Sequence, residues 1–324
     1  MSKLAPVYYT ALQGDIPKAL KLLKKIPAET LTKKEQNVRE KLFARFVTRN
    51  ERFTLAEKDR LIRDIVKIYR LYWQKVLSDR LNEKDGEAFL FDELARYLSE
   101  KKYLKKAAAM PDQIEKKLKE IFKTKNYHCI LGKVLPFREL ELWKIEEAKV
   151  FSIKLPETTQ RIKVVFMDGF ITHGWEEYAT AGRYFPGGWA KKDAIYCVKS
   201  SYRDLSHEKF RISYLTHEAQ HFSDYKKFPG LVQYQLEYRA KLAELSYADK
   251  TLFKLISNFI SNSKNDPNLP HSFANYNLIK DLSKKLFNEA FVSETDRWKK
   301  LLKAVVNCEA KTLLITDSVK FAKK

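Results

Sequence analysis

Residues 210–228 read FRISYLTHEAQHFSDYKKF. Phe210, Tyr214, His217 and His221 fall on one helical stripe, and no Gly or Pro interrupts Arg211 to Phe228, so the stretch is predicted to be helical. At its centre stands His217-Glu218-Ala219-Gln220-His221, an HExxH. Histidines four residues apart on a helix are stacked neighbours, with Cβ atoms about 5–6 Å apart. Their imidazoles therefore reach one zinc ion at about 2.0–2.1 Å each. Glu218 lies one residue further round, beside the cation, where it can take a proton from water that the metal activates. With 6 histidines in 324 residues, chance yields such a pentapeptide about once per hundred sequences.

A catalytic zinc site has three protein ligands and an open position, so a third must come from a later element. After a break at Phe228-Pro229-Gly230, a second helix over roughly Val232–Lys250 offers Glu237 and Glu244. Fifteen residues separate His221 from Glu237, enough to finish one helix, turn and begin the next. Ala240 lies about one turn beyond Glu237 on the same face. A small residue there permits close approach of the two helices, and Glu237 is preferred to Glu244. Asp224, one turn past His221, is expected to orient a ligand imidazole rather than to ligate.

Within about 205–245 the chain resembles the gluzincin zinc metallopeptidases, the thermolysin-like group with HExxH followed by a glutamate on a later helix. The resemblance rests on His217, Glu218, His221 and Glu237. It implies Zn2+ bound by His217, His221 and Glu237, with Glu218 as general base for peptide hydrolysis. The spacing between the helices is somewhat short for the thermolysin pattern, and Leu236 and Lys241 stand where that pattern has Asn and Asp. The resemblance also implies an edge strand that lines the cleft, a role Ala194–Lys199 is placed to fill. A donor for the oxyanion is needed as well, and Tyr238, Arg239, His173, Tyr247 and His271 are its candidates. The segment from Gly174 to Trp189, rich in Gly and aromatics, is expected to border the cleft.

Outward from the motif the hydrophobic period changes twice. Over 127–200 it alternates, predicting strands at Glu139–Ile145, Val150–Leu155, Arg161–Met167 and Ala194–Lys199, with Gly182–Ala190 an irregular loop. Residues 1–125 read as helix after helix, broken at Gly14-Asp15 and strongest in the stripe of Leu61, Ile62, Ile65, Ile68, Tyr69, Tyr72 and Trp73. Beyond the motif helices, a polar loop at Ser261–Pro270 divides further helix running to Lys324. The fold class is therefore α+β and helix-dominated. A helical N-terminal domain (1–125) precedes a zincin-like domain (126–324), whose parts are a small sheet (127–200), the active helices (207–250) and C-terminal helices (251–324).

Composition narrows the function classes. With 44% hydrophobic and 13% aromatic residues the chain buries a large core, which excludes whole-chain disorder. The 62 Lys and Arg against 41 Asp and Glu leave a net charge of +21. Basic residues are interleaved with acidic ones, and the densest run, Lys101–Lys125, reads as a solvated helix face, so nucleic acid is disfavoured as a partner. The partners expected are a peptide or protein substrate, and a protein bound through the N-terminal helices. Cys129, Cys197 and Cys308 lie far apart in apolar surroundings and read as buried free thiols of a reducing compartment. No segment has the length and apolarity of a membrane span and Met1–Leu23 lacks a signal-peptide pattern, so a cytoplasmic protein is expected. No nucleotide-binding or serine-hydrolase motif occurs. Two functions remain: a zinc metallopeptidase, or a non-catalytic binding or scaffold protein whose zinc site is vestigial or structural.

Overall fold

Side-chain caps and apolar stripes account for the helices at the start of the chain. The computed structural model describes residues 2–51, 55, 57–105, 110–134, 136–191, 194–202 and 204–322. Its first helices are α1 (Ala5–Leu12), α2 (Ile16–Lys24), α3 (Lys33–Phe46), α4 (Arg60–Leu77), α5 (Glu83–Glu100) and α6 (Pro111–Thr124). Asp15 caps α2, Asp59 caps α4 and Asn82 caps α5, while Thr32 and Glu35 form a reciprocal capping box on α3. The sequence stripe is the buried face of α4, where Ile62, Ile65, Tyr69, Tyr72 and Trp73 have no exposure. Of the basic run Lys101–Lys125, residues 106–109 lie outside the described residues, and α6 carries most of the remainder.

The strands are β1 (His128–Val134), β2 (Phe137–Trp143), β3 (Ile145–Lys154), β4 (Thr159–Asp168) and β5 (Thr172–His173). After α7 (Trp175–Ala179) come β6 (Gly188–Ala190) and β7 (Ile195–Val198). The rest is helical: α8 (Glu208–Phe210), a π-helical stretch (Arg211–Thr216), α9 (His217–Lys227), α10 (Gln233–Tyr247), α11 (Leu252–Ser261), α12 (Pro270–Phe287), α13 (Thr295–Lys299) and α14 (Lys303–Ala322). The fold is α+β and helix-dominated, 58% helical. None of the described helices is long and apolar enough to cross a membrane.

The chain divides into two compact units, each made of two segments. The first is Met1–Glu146 with Met167–Pro186, and the second is Glu147–Phe166 with Gly187–Lys324. In the first unit, α1–α6 share one core with β2 and α7, through Phe137, Leu140, Leu142, Trp175 and Tyr178. Polar contacts seal that association: Trp73 Nε1 donates to Arg138 O at 2.9 Å, and Arg138 N donates to the Tyr72 hydroxyl at 3.0 Å. Its sheet has the order β1-β2-β5, with β1 and β2 antiparallel in the register Leu131↔Leu140.

The second unit holds a four-stranded sheet of order β3-β4-β7-β6. Ile162, Val164, Phe166, Ile195 and Cys197 of this sheet pack on Phe210, Tyr214, Leu215 and Ala219 of the motif helix. A separate helical core gathers Leu242, Leu245, Leu252, Ile256, Leu278, Leu282, Trp298 and Leu314. Three local expectations change. The end of the Gly182–Ala190 loop is strand β6, which pairs antiparallel with β7 in the register Trp189↔Tyr196. The edge strand is consequently β6, and the segment Ala194–Lys199 supplies the interior strand β7. Gly188 makes this pairing sterically feasible, because it has φ +152° and a Cβ there would stand 2.2 Å from Tyr196 O. Finally, only Cys197 is fully buried; Cys129 is half-buried and Cys308 is exposed on α14.

Candidate metal centre

The motif helix is held in place at both ends. The Glu208 carboxylate accepts from the backbone N–H of Asp249, Lys250 and Thr251 and from Thr251 Oγ1, which ties the start of the motif helix to the segment after α10. The π-helical stretch ends directly before His217, and π segments recur at functional sites. Within it Tyr214 donates to Tyr196 O at 2.6 Å, fastening the helix to β7. At the other end the chain turns at Phe228–Gly230 and returns as α10. Arg239, fully buried, clamps α10 to α9 through Asp224 at 2.9 and 3.0 Å and to α14 through Asp317 at 3.1 Å and Ser318 at 2.9 Å.

This framework brings His217, His221 and Glu237 together, with one ligand atom from each lying within 4.8 Å of the others. His217 Nε2 and His221 Nε2 are 3.0 Å apart. Glu237 Oε2 is 3.7 Å from the first and Glu237 Oε1 is 3.5 Å from the second. Ligand atoms at 2.0–2.1 Å from a tetrahedral ion stand about 3.3–3.4 Å apart, so the three separations bracket that value. Donor chemistry agrees with the spacing. His217 Nδ1 lies 2.7 Å from Glu244 Oε1, so in the neutral ring the proton sits on Nδ1 and Nε2 is the nitrogen free to ligate. That nitrogen faces a second imidazole nitrogen and a carboxylate, a donor set suited to a divalent cation.

Glu244, the alternative third ligand, therefore sits on the opposite edge of the His217 ring and orients it. Asp224 does not take the orienting role expected for it. Its carboxylate is occupied by Arg239 and Gln220, and among the described residues His221 Nδ1 has no hydrogen-bond partner. Glu218 is half-buried, with no hydrogen bond or ion pair among the described residues. Burial pushes the Tyr202 and Tyr214 hydroxyls up, and the neighbouring Cys197 and Glu218 add to the effect. Glu218 thus lies beside these two tyrosines and outside the ligand triad.

The electrostatics of the triad are opposed by burial and decided by its neighbours. Burial works to raise Glu237, but hydrogen bonds from His221 and His271 and the charges of Lys241 and His217 hold its carboxyl well below the usual range. Burial likewise works against a charged His217, and the hydrogen bond to Glu244 overcomes it and raises the pKa. Of the oxyanion-donor candidates, only His271 is placed at the triad, with Nδ1 2.9 Å from Glu237 Oε2 and its side chain exposed. Tyr238 donates to Asp281 at 2.7 Å, Arg239 is consumed by its acidic partners, and Tyr247 ends α10. His173 belongs to the first unit, stacked between Phe170 and Phe185 with ring centroids 4.0 Å from each, and burial lowers its pKa to about 4. Sequence reasoning gave Lys241 no role, yet its ammonium lies 2.5 Å from Glu237 Oε2; the four-residue spacing on α10 was the available signal.

Compared with known proteins, the chain matches no family, no curated protein and no solved structure.

Proposed function

We propose that the second unit is a zinc-dependent peptide hydrolase of gluzincin type. The observation that carries the reading is the convergence of His217, His221 and Glu237 from two helices onto one point, with Glu218 adjacent in the same motif. His217, His221 and Glu237 would hold Zn2+, which when bound supplies Lewis acidity toward a carbonyl oxygen and toward water. Glu218, with no hydrogen bond or ion pair among the described residues, accepts the proton of the attacking water and returns it to the leaving amine. Glu244 keeps His217 in the ligating tautomer throughout. His271 is the oxyanion-donor candidate placed at the triad; with Nδ1 bonded to Glu237, only its doubly protonated ring has an Nε2–H to donate to the oxyanion. The edge strand β6 is the natural place for an extended peptide to pair.

The test joins metal analysis to hydrolysis of a broad peptide library. Purified parent is expected to carry about one zinc per chain, and Glu218→Gln to keep the metal while losing 10²-fold or more in kcat, the scale of a positioned general base. Undiminished hydrolysis by the Gln variant would remove Glu218 from the mechanism. Zinc retained without hydrolysis of any peptide would favour the scaffold reading instead.

A further inference from the structure

The third ligand of the triad is already bonded to a cation supplied by the chain itself. Lys241 follows Glu237 by one turn of α10, is only 6% exposed, and places Nζ 2.5 Å from Glu237 Oε2. Among the described residues its ammonium has no other hydrogen-bond or ion-pair partner. A buried lysine without a counter-charge is costly, and so is a buried unpaired carboxylate, so the two groups account for each other. Lys241 and the triad imidazoles compete for the same group: Glu237 Oε2 faces Lys241 and His271, as well as His217 at 3.7 Å, while Oε1 faces His221 at 3.5 Å. Glu237 and Glu244 bring two carboxylates to this point, and among the described residues Lys241 pairs with Glu237 alone.

We infer that Lys241 is the built-in counter-ion of the metal-free site, neutralising Glu237 when no divalent cation is present and competing with that cation for the carboxylate. The inference rests on the zinc reading above and adds a regulatory consequence: metal-free protein stays folded, and metal affinity is set below what the three ligands alone would give. An ammonium bonded to a ligand carboxylate repels any dication that shares it, since little solvent intervenes to screen them.

The discriminating experiment measures zinc affinity by competition with a chromophoric chelator, and thermal melting of the chelator-stripped protein, for parent, Lys241→Met and Lys241→Arg. Lys241→Met is expected to bind zinc about tenfold more tightly while its metal-free form melts below the parent. Lys241→Arg, which keeps the charge, is expected to resemble the parent in both measurements. Lys241→Gln replaces Met if the stripped Met variant does not fold, with the same two signs expected. Parallel losses of affinity and stability, or unchanged affinity, would overturn the counter-ion role while leaving the zinc reading intact. Failure of the parent itself to bind zinc would overturn the zinc reading and this inference with it.

Discussion

A histidine becomes a good metal ligand only when its other nitrogen is held, and Glu244 does this for His217 at 2.7 Å from inside α10. Glu244→Gln keeps the shape but lowers the acceptor strength, and it allows the ring to flip its tautomer. Zinc affinity is expected to fall 10–100-fold, with hydrolysis falling in parallel until zinc is added in excess. Chelator competition is the measurement, and an unchanged dissociation constant would show that Glu244 only fills space. The residue scale also shows the limit of motif reading. His217 and His221 are paired by helix geometry alone, whereas the choice between Glu237 and Glu244 depends on which side of one imidazole each carboxylate approaches. That is a matter of a few ångström in the packing of two helices.

The elements are held by buried charge as much as by apolar contact. Arg239 joins α9, α10 and α14, with Asp224 fully buried beside it. Removing one partner of such a pair leaves the other charge uncompensated, so Arg239→Met is expected to cost about 3–5 kcal/mol in urea unfolding. The double variant Arg239→Met with Asp224→Asn should recover part of that loss, and a single-variant loss under about 1 kcal/mol would mean the pair is dispensable. Strand β2 presents a different case. Glu141 is nine-tenths buried, and burial, with the nearby Glu176 charge, pushes its carboxyl up to about 8. The folded chain thus keeps a proton that the unfolded chain releases near the ordinary 4.5, and stability falls as pH rises from there toward about 8. Glu141→Gln removes this penalty. It should stabilise the protein by about 1–3 kcal/mol at pH 8 and by little below pH 4.5. Melting curves at the two pH values check this, and an equal effect at both would refute it. Sequence alone placed these helices well, because their period and caps are local. The edge strand β6 escaped it because Gly188-Trp189-Ala190 is too short to show a period, and only pairing with β7 makes it a strand.

At the scale of the whole molecule, each unit is assembled from two segments of chain separated by twenty residues that belong to the other unit. The change of hydrophobic period near residue 125 marks where helices give way to strands. Burial groups the residues differently, since β1, β2, β5 and α7 complete the core of the N-terminal helices. Because the candidate ligands all lie in the second unit, zinc should stabilise that unit by mass action. At a thousandfold excess over the dissociation constant the gain is about 4 kcal/mol. Thermal melting with and without zinc, and slowed amide exchange in α9 and α10, are the expected signatures. No zinc-dependent shift in the parent, matching His217→Ala, would sink the prediction.

What the sequence determined by itself is local: a helix-dominated α+β chain, the placement of His217 and His221 on one helix face, and the presence of Glu218 beside them. These follow from helical period and four-residue spacing, which need no knowledge of distant contacts. The tertiary structure decided which carboxylate faces the imidazole pair, which one bonds the far side of His217, and which ammonium already pairs with the facing carboxylate. Those choices turn on how α10 packs against α9, and packing of remote segments is set by core shape and buried charge pairing that no spacing rule encodes.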